Sequence, residues 1–258
     1  MRLRTPTITV VIPAYNAAKT IIRTLESAVA SLRHCVEIEG LLVEAEIVVI
    51  DDCSTDGTAE LVTKWGKRAL VRLIRNAANR GPGFSRNEGV RQSGGGFLFF
   101  LDADDVFYPN HVHRCLTELL ADDSLGYVFT RVKIDMPMHE DWRPSLDESC
   151  PINFCVRRVW HDMIQGFAEE KDFSTYRTED TLYRACLRRL VQHRKIEVET
   201  CEQFVSPGNA LDRQRRKFSF SKADWQSQGI DDGFRMTPAM EAVALARFAH
   251  VAKLRGEQ

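Results

Sequence analysis

The sequence predicts an α/β protein with a mainly parallel sheet and helices on both of its faces. Three observations carry this expectation. Short, almost wholly apolar runs recur at residues 7–12, 46–50, 70–74 and 97–101. Helical patterns lie between them, and the runs at 7–12, 46–50 and 97–101 give way to polar clusters. Strands buried on both faces are apolar at nearly every position, and parallel neighbours need a crossover that a helix supplies.

Thr7-Ile8-Thr9-Val10-Val11-Ile12 is β-branched throughout and stops at Pro13, which marks a first strand. Ile22, Leu25, Val29 and Leu32 repeat at helical spacing and predict an amphipathic helix over about 17–35. Glu46-Ile47-Val48-Val49-Ile50 is a second strand ending at Asp51-Asp52, and Asp56-Gly57 leads into a helix near 58–65 with Asp56 as its cap. Leu70-Val71-Arg72-Leu73-Ile74 is a third strand, followed by a helix near 84–92 that Gly94-Gly95-Gly96 breaks. The fourth strand, Phe97-Leu98-Phe99-Phe100-Leu101, runs into Asp102-Ala103-Asp104-Asp105.

Beyond Tyr108 the pattern is weaker. It predicts a helix near 109–120, a strand near 127–133 and an irregular, proline-bearing stretch through Pro151. Thr178 is the expected N-cap of a helix over 179–192, with Leu182, Cys186 and Leu190 on one face. A last helix opens at Thr237-Pro238 and packs a stripe of Met240, Ala244, Phe248 and Val251 on the core. Internal repeats and low-complexity segments are absent from the sequence.

A chain of 258 residues buries about 70–75% of its unfolded surface, enough for one large domain with a terminal extension. The balance of 35 basic and 36 acidic residues, a formal charge of -1, speaks against bulk binding of nucleic acid. No run approaches the ~18–20 apolar residues that span a bilayer, and Pro13 cuts short the only apolar run near the N-terminus, unlike a signal peptide. The expected location is therefore cytoplasmic. Seven scattered cysteines without a CxxC pair suggest reduced thiols, and the Cys150, Cys155 and His161 spacing imitates metal ligands only weakly.

In parallel sheets ligands bind beyond the carboxyl ends of the strands. Pro13-Ala14-Tyr15-Asn16, Asp51-Asp52 and Asp102–Asp105 all stand at such ends, so three polar clusters far apart in sequence are expected to converge on one rim. Asp102 and Asp104 at i and i+2 would repel each other, and a hard cation such as Mg²⁺ or Mn²⁺, which prefers oxygen ligands and phosphate, relieves that repulsion. The same letters also suit a turn or a helix cap. In Asp51-Asp52-Cys53-Ser54-Thr55-Asp56-Gly57 one carboxylate can accept a bond from a nucleobase N–H or a ribose hydroxyl, beside the plainer role of starting a helix.

Taken in order, ITVVIPAYNAAKTI, EIVVIDDCSTDGT, NAANRGPGFSRNEGV, FLFFLDADD and the later Arg177-Thr178-Glu179-Asp180-Thr181-Leu182-Tyr183-Arg184 resemble the inverting family-2 glycosyltransferases with a GT-A fold, over about residues 5–190. The resemblance implies a GT-A domain over 1–210. Its nucleotide-binding half would span about 5–105, its acceptor and catalytic half about 106–210, and a basic, helical extension on the acceptor side would follow over 211–258. It implies that Pro13, Ala14, Tyr15 and Asn16 line a base and ribose pocket, that Asp52 reads the base, and that Arg86 faces the nucleotide while Asn87 supports the fold. Asp102, with Ala103 beside it, would face the ribose; Asp104 would coordinate a divalent metal, Mn²⁺ or Mg²⁺, on the diphosphate, with Asp105 as a helper. Asp180, in a segment that follows the GF-E stretch at Gly166–Glu170, would be the catalytic base. Three departures stand out: Ala17 where an acidic residue is usual, Cys53 for a glycine, and Ser85 for an alanine.

The implied reaction moves a single sugar from a nucleotide-diphosphate sugar, UDP-linked, to a glycan or lipid-linked hydroxyl acceptor with inversion. Arg213-Gln214-Arg215-Arg216-Lys217-Phe218-Ser219-Phe220 is the one concentrated basic stretch; it suits a solvated face, donor phosphates, or anionic lipid through residues 213–225 at the inner face of a membrane. Lys217 and Phe218 replace the Arg and Trp of the QxxRW motif of processive synthases, which favours single transfer. Two rivals remain at this point. A nucleotidyltransferase should carry a glycine-rich basic loop after the first strand, and PAYNAAKT has no glycine; a silent sugar-nucleotide binding protein would not need Glu179-Asp180.

Overall fold

The computed structural model describes residues 5–66, 71–206, 209–227 and 235–257; Leu70, expected to open the third strand, lies outside them. The chain forms β1 (Thr7–Ala14), α1 (Ile21–Arg33, continued by a π turn), β2 (Glu44–Asp51), α2 (Thr58–Gly66), β3 (Val71–Arg75), α3 (Pro82–Arg91) and β4 (Phe97–Phe100). There follow β5 (Val106–Phe107), α4 (His111–Ala121), β6 (Leu125–Ile134), α5 (Arg143–Ser149), β7 (Phe154–Arg157), α6 (Arg158–Met163), α7 (Lys171–Tyr176), α8 (Glu179–Leu190) and β8 (Gln192–Gln203). Three helices close the described chain: α9 (Ala210–Phe218), α10 (Lys222–Ser227) and α11 (Pro238–Leu254).

The strands form one sheet of order β3-β2-β1-β4-β7-β6-β8-β5. β3, β2, β1 and β4 run parallel. β7 is antiparallel to both β4 and β6, while β6 and β8 run parallel through a register broken by bulges. The chain winds outward from β1 through β2 to β3 and then returns to place β4 on the other side of β1, so the switch in winding lies between β1 and β4.

The fourth strand is apolar at every position because it divides its side chains between two cores. Phe97 and Phe99 join Ile8, Val10 and Ile12 under α1 and α4, whereas Leu98 and Phe100 join Val11 under α3, α8 and α11. The α1 stripe behaves as its spacing predicts, with Leu25 fully buried and Ile22, Val29 and Leu32 packed against the first core. The α11 stripe does too: Met240 and Val251 are buried, Ala244 and Phe248 lean on the second core, and the Thr237 hydroxyl accepts from the Met240 N–H. The basic stretch belongs to α9, whose Leu211 and Phe218 enter the first core with Trp225 of α10.

Several expectations are corrected. The stretch before Pro151 is not irregular: a turn of 3-10 helix at Glu140–Trp142 leads into α5, with Pro144 in its first turn, where its missing N–H costs nothing. The helix after Thr178 ends at Leu190 rather than running to residue 192, and Gln192 already starts a twelve-residue strand. Thr178 holds the N-cap position, yet its hydroxyl caps nothing and is a buried group without a hydrogen-bond partner among the described residues. Asp56 fulfils its capping role and more, since its carboxylate accepts from the Thr58 N–H and the Ala18 N–H.

Candidate active site

The rim expected from the strand ends exists. Ala14 pairs with Asp51, the Asp52 N–H donates to the Ala14 carbonyl at 2.8 Å, and the Leu101 N–H donates to the Val11 carbonyl at 3.0 Å. Pro13–Asn16 and Asp102–Asp105 therefore flank the switch between β1 and β4, with Asp52 one strand away. Tyr15 leaves this rim with 53% of its surface exposed. Asn16 turns the chain there at φ 50°, a left-handed conformation that asparagine tolerates, and its side-chain carbonyl accepts from the Thr55 N–H at 2.9 Å.

Asp52 is buried and fully engaged. Its carboxylate accepts from Asn76 Nδ2 at 2.7 Å, from the Arg80 N–H at 3.0 and 3.1 Å, and from the Gly81 N–H at 2.7 Å. It thereby clamps the loop that leads from β3 into α3. Gly81 sits there at φ +86°, and a Cβ on it would meet Ser174 Oγ at 2.2 Å.

The DADD loop is held from behind by α1. Thr24 Oγ1 donates toward the carbonyls of Ala103 at 3.0 Å and Asp105 at 2.8 Å, and Arg23 donates to the Asp104 carbonyl at 2.6 Å. Of the three carboxylates, Asp105 is turned inward and accepts from the Phe204 N–H and from Gln203. Burial first, then Asp104 and Asp102, push its pKa well up. Among the described residues the side chain that donates to Asp104 is Asn209, at a long 3.3 Å, and the Asp104 pKa is likewise raised by burial and by Asp102. Asp102 accepts a 2.6 Å bond from Arg86.

Arg86 is the hinge of the site. It is 3% exposed, with one nitrogen on Asp102 and another donating to Glu179 at 2.9 Å, so it joins the β4 rim to the start of α8. Burial alone would weaken its charge, but Asp102 and then Glu179 hold its pKa above the ordinary arginine value. Its guanidinium thus reaches the rim through Asp102 rather than standing open to it. Asn87, next in sequence, binds the Phe167 backbone at both its amide ends and also donates to Glu169 at 2.7 Å.

Asp180 stands beside Glu179 at the start of α8. One oxygen accepts from the Thr181 N–H at 2.6 Å; the other has no hydrogen-bond partner among the described residues. Burial, then the neighbouring Glu179 charge, raise the carboxyl from the ordinary 3.8 to about 7, with Arg86 opposing. Asp180 lines a cleft of about 830 Å³ walled by Tyr127, Phe129 and Trp142 and by basic side chains of α8 and α9. The sequence pointed to Asp180 but not to Glu179 as the anchor of Arg86, nor to Asn209 or Arg184. Glu179 shares Asp180's motif and could have been found from it; no pattern marks Asn209, 105 positions from its partner Asp104.

The clustered carboxylates fit a hard divalent cation. Asp104 offers an oxygen with little else bound to it, and burial first and then the Asp102 charge disfavour its ionised form, a cost that a bound cation would relieve. No group of three or more His, Cys, Asp or Glu converges to hold a metal among the described residues. The other ligands of such an ion would then be phosphate oxygens and water, as is common for Mg²⁺.

The family model described as glycosyl transferase family 2 matches residues 9–193. The succinoglycan biosynthesis protein ExoO of Rhizobium meliloti is 42% identical over 113 residues, 44% of this chain and 30% of that protein. The chain thus spans under a third of that relative. Among solved structures, Staphylococcus aureus TarS in complex with UDP-GlcNAc superposes with a TM-score of 0.66 at 20% identity, covering 80% of this chain and 60% of that one. The mannosyltransferase PcManGT of Pyrobaculum calidifontis, in complex with GDP-Man and Mn²⁺, gives 0.62 at 18% identity over 96% and 70%. At such identities the likeness is one of fold, and it is the GT-A fold. No helix among the described residues is long and apolar enough to cross a membrane.

Proposed function

Because the chain belongs to glycosyl transferase family 2, we propose that it transfers one sugar, with inversion, from a UDP-linked donor to a hydroxyl of a glycan or lipid-linked acceptor. The observation that carries this reading is Asp180: a carboxyl raised to about 7, with one free oxygen, lining a cleft and joined through Glu179 and Arg86 to the DADD rim.

In this reading the exposed Tyr15 ring, with Pro13, Ala14 and Asn16, receives the base and ribose, and Asp102 faces the ribose. For Asp52 to read the base directly, it must exchange the Asn76 donor for a base N–H, because its oxygens are already engaged. Arg86 acts on the donor side by orienting Asp102. Asp104 would hold the metal, with Asp105 packed behind it. A bound Mn²⁺ or Mg²⁺ supplies charge that offsets the growing negative charge on the leaving nucleoside diphosphate.

The acceptor hydroxyl lies in the cleft and gives its proton to the free oxygen of Asp180. The hydroxyl oxygen bonds to the anomeric carbon from the face opposite the diphosphate. The bond from that carbon to the phosphate oxygen breaks, and its electron pair leaves with the nucleoside diphosphate. A base with a pKa of about 7 is deprotonated often enough to act and basic enough to accept the proton.

Asp180→Asn tests the assignment. UDP binding should persist while transfer falls about 10²-fold or more; near-normal turnover in that variant would remove Asp180 from the role.

A further inference from the structure

We propose that the cleft beside Asp180 takes an acceptor bearing a phosphate or diphosphate group close to its reacting hydroxyl. The inference rests on Asp180 being the base, and it adds the chemical class of what that base meets. The cleft is lined by six cations, Arg177, Arg184, Arg188, Arg213, Arg216 and Lys217, against two carboxylates, Glu148 and Asp180. Arg188 is paired with Glu148 at 2.9 Å. None of the DADD carboxylates lines this cleft, although Arg177 at its edge is near enough to Asp104 to favour that carboxylate's charged form.

Arg184 is the decisive residue. It sits one turn after Asp180 on α8, is 5% exposed, and carries a charge that no carboxylate answers among the described residues. Its polar partners are Asn153, at a long 3.4 Å, and the Tyr127 hydroxyl, and its Nε has none. Its guanidinium lies over the rings of Tyr127 and Phe129, 5.0 and 4.6 Å from their centroids. A buried cation without a counter-ion is costly to the fold, and an anion arriving in the cleft removes that cost.

Two more guanidiniums stand ready nearby. Arg177 closes α7 as its left-handed C-cap at φ 54° and makes no hydrogen bond through its side chain among the described residues. The Arg213 side chain on α9 makes no hydrogen bond or ion pair among the described residues, and burial and then Arg177 push its pKa down. One carboxylate uses a single guanidinium fork; several converging forks match a phosphate, with its greater charge and three free oxygens. Trp142, Tyr127 and Phe129 supply flat apolar walls for the remainder of the acceptor.

The test is calorimetric titration with the donor site filled by saturating UDP and Mg²⁺. Geranyl phosphate, glycerol 3-phosphate and geranate are the probes, against wild type, Arg184→Met and Arg213→Ala. Phosphate probes should bind wild type and weaken about tenfold or more in each variant, with UDP affinity unchanged. Preference for geranyl phosphate over glycerol 3-phosphate assigns the phosphate to a lipid carrier; equal binding assigns it to a soluble or polymeric ester. Arg184→Met should not lower Tm, since it removes an unanswered charge, and Arg213→Ala, at an exposed position, decides the matter should that variant fail to fold. Equal binding of geranate, no loss in the variants, or no phosphate binding at all would overturn the proposal. So would a matching loss of UDP affinity, which would give these arginines to the donor diphosphate. Failure of wild type to bind UDP would sink the donor reading by itself, while the arginine variants still decide the cleft.

Discussion

Asp180 keeps its proton well above the ordinary carboxylate range, and the sign of that shift has two consequences. The native state binds a proton that the unfolded chain releases near pH 3.8, so this residue withdraws stability as pH rises from about 4 through about 7. Asp180→Asn should therefore raise Tm at pH 8 more than at pH 5. For turnover the base must be ionised, so kcat/KM should fall about tenfold per pH unit below 7. Glu179 is the charge that raises Asp180 after burial, and it also occupies Arg86. Glu179→Gln should move the acidic limb down by about one to three pH units, because a neighbouring charge at an effective dielectric of about 20 is worth up to about 4 kcal/mol at about 4 Å. A pH–rate profile reads this directly; a limb that stays in place or moves up contradicts the coupling.

At the scale of elements, α3 presses its Gly89 onto β1. A Cβ there would meet Val11 Cγ1 at 2.4 Å, and Val11 is a fully buried, branched side chain with no room to turn. Alanine is worth about 0.5–1 kcal/mol over glycine within a helix, but overpacking costs about 1–3 kcal/mol. Gly89→Ala should thus destabilise the protein by about 1–2 kcal/mol in urea unfolding; a more stable variant would mean that α3 can back away from the sheet. The close approach matters because α3 carries Arg86 to Asp102 and Glu179. Strands β1, β2 and β4 were legible in the sequence because strands buried on both faces are nearly uniformly apolar, and the half-exposed edge strand β3 showed through the apolar residues between its arginines. β7 was not, since Phe154-Cys155-Val156-Arg157 is too short to tell from a loop. β8 was hidden for a different reason: Lys195, Glu197 and Glu199 alternate with Ile196, Val198 and Thr200, but the strand is half-exposed and bulged, so its period is interrupted.

Across the whole molecule, the proposed donor rim could be read from three strand ends because a parallel sheet brings them together whatever lies between. What crosses to the acceptor side could not. Arg86 meets Glu179 across 93 positions, and Asp104 meets Asn209 across 105; neither pairing leaves a local pattern. The second of these long links ties Asp104, the carboxylate proposed to hold the metal, to the segment that opens α9, so donor binding should tighten the assembly as well as the rim. A ligand that binds only the native state stabilises it by about 2.7 kcal/mol at a hundred times its Kd. UDP with Mn²⁺ should accordingly raise Tm by several degrees, and UDP or Mn²⁺ alone by much less. Asp104→Asn removes a negative charge disfavoured by burial and by Asp102, so the unliganded variant should be at least as stable as wild type. It should nevertheless lose the additional shift given by Mn²⁺ with UDP. An unchanged shift in Asp104→Asn would show that the metal is held elsewhere; a shift equally large with UDP alone would show that donor binding needs no metal at this rim.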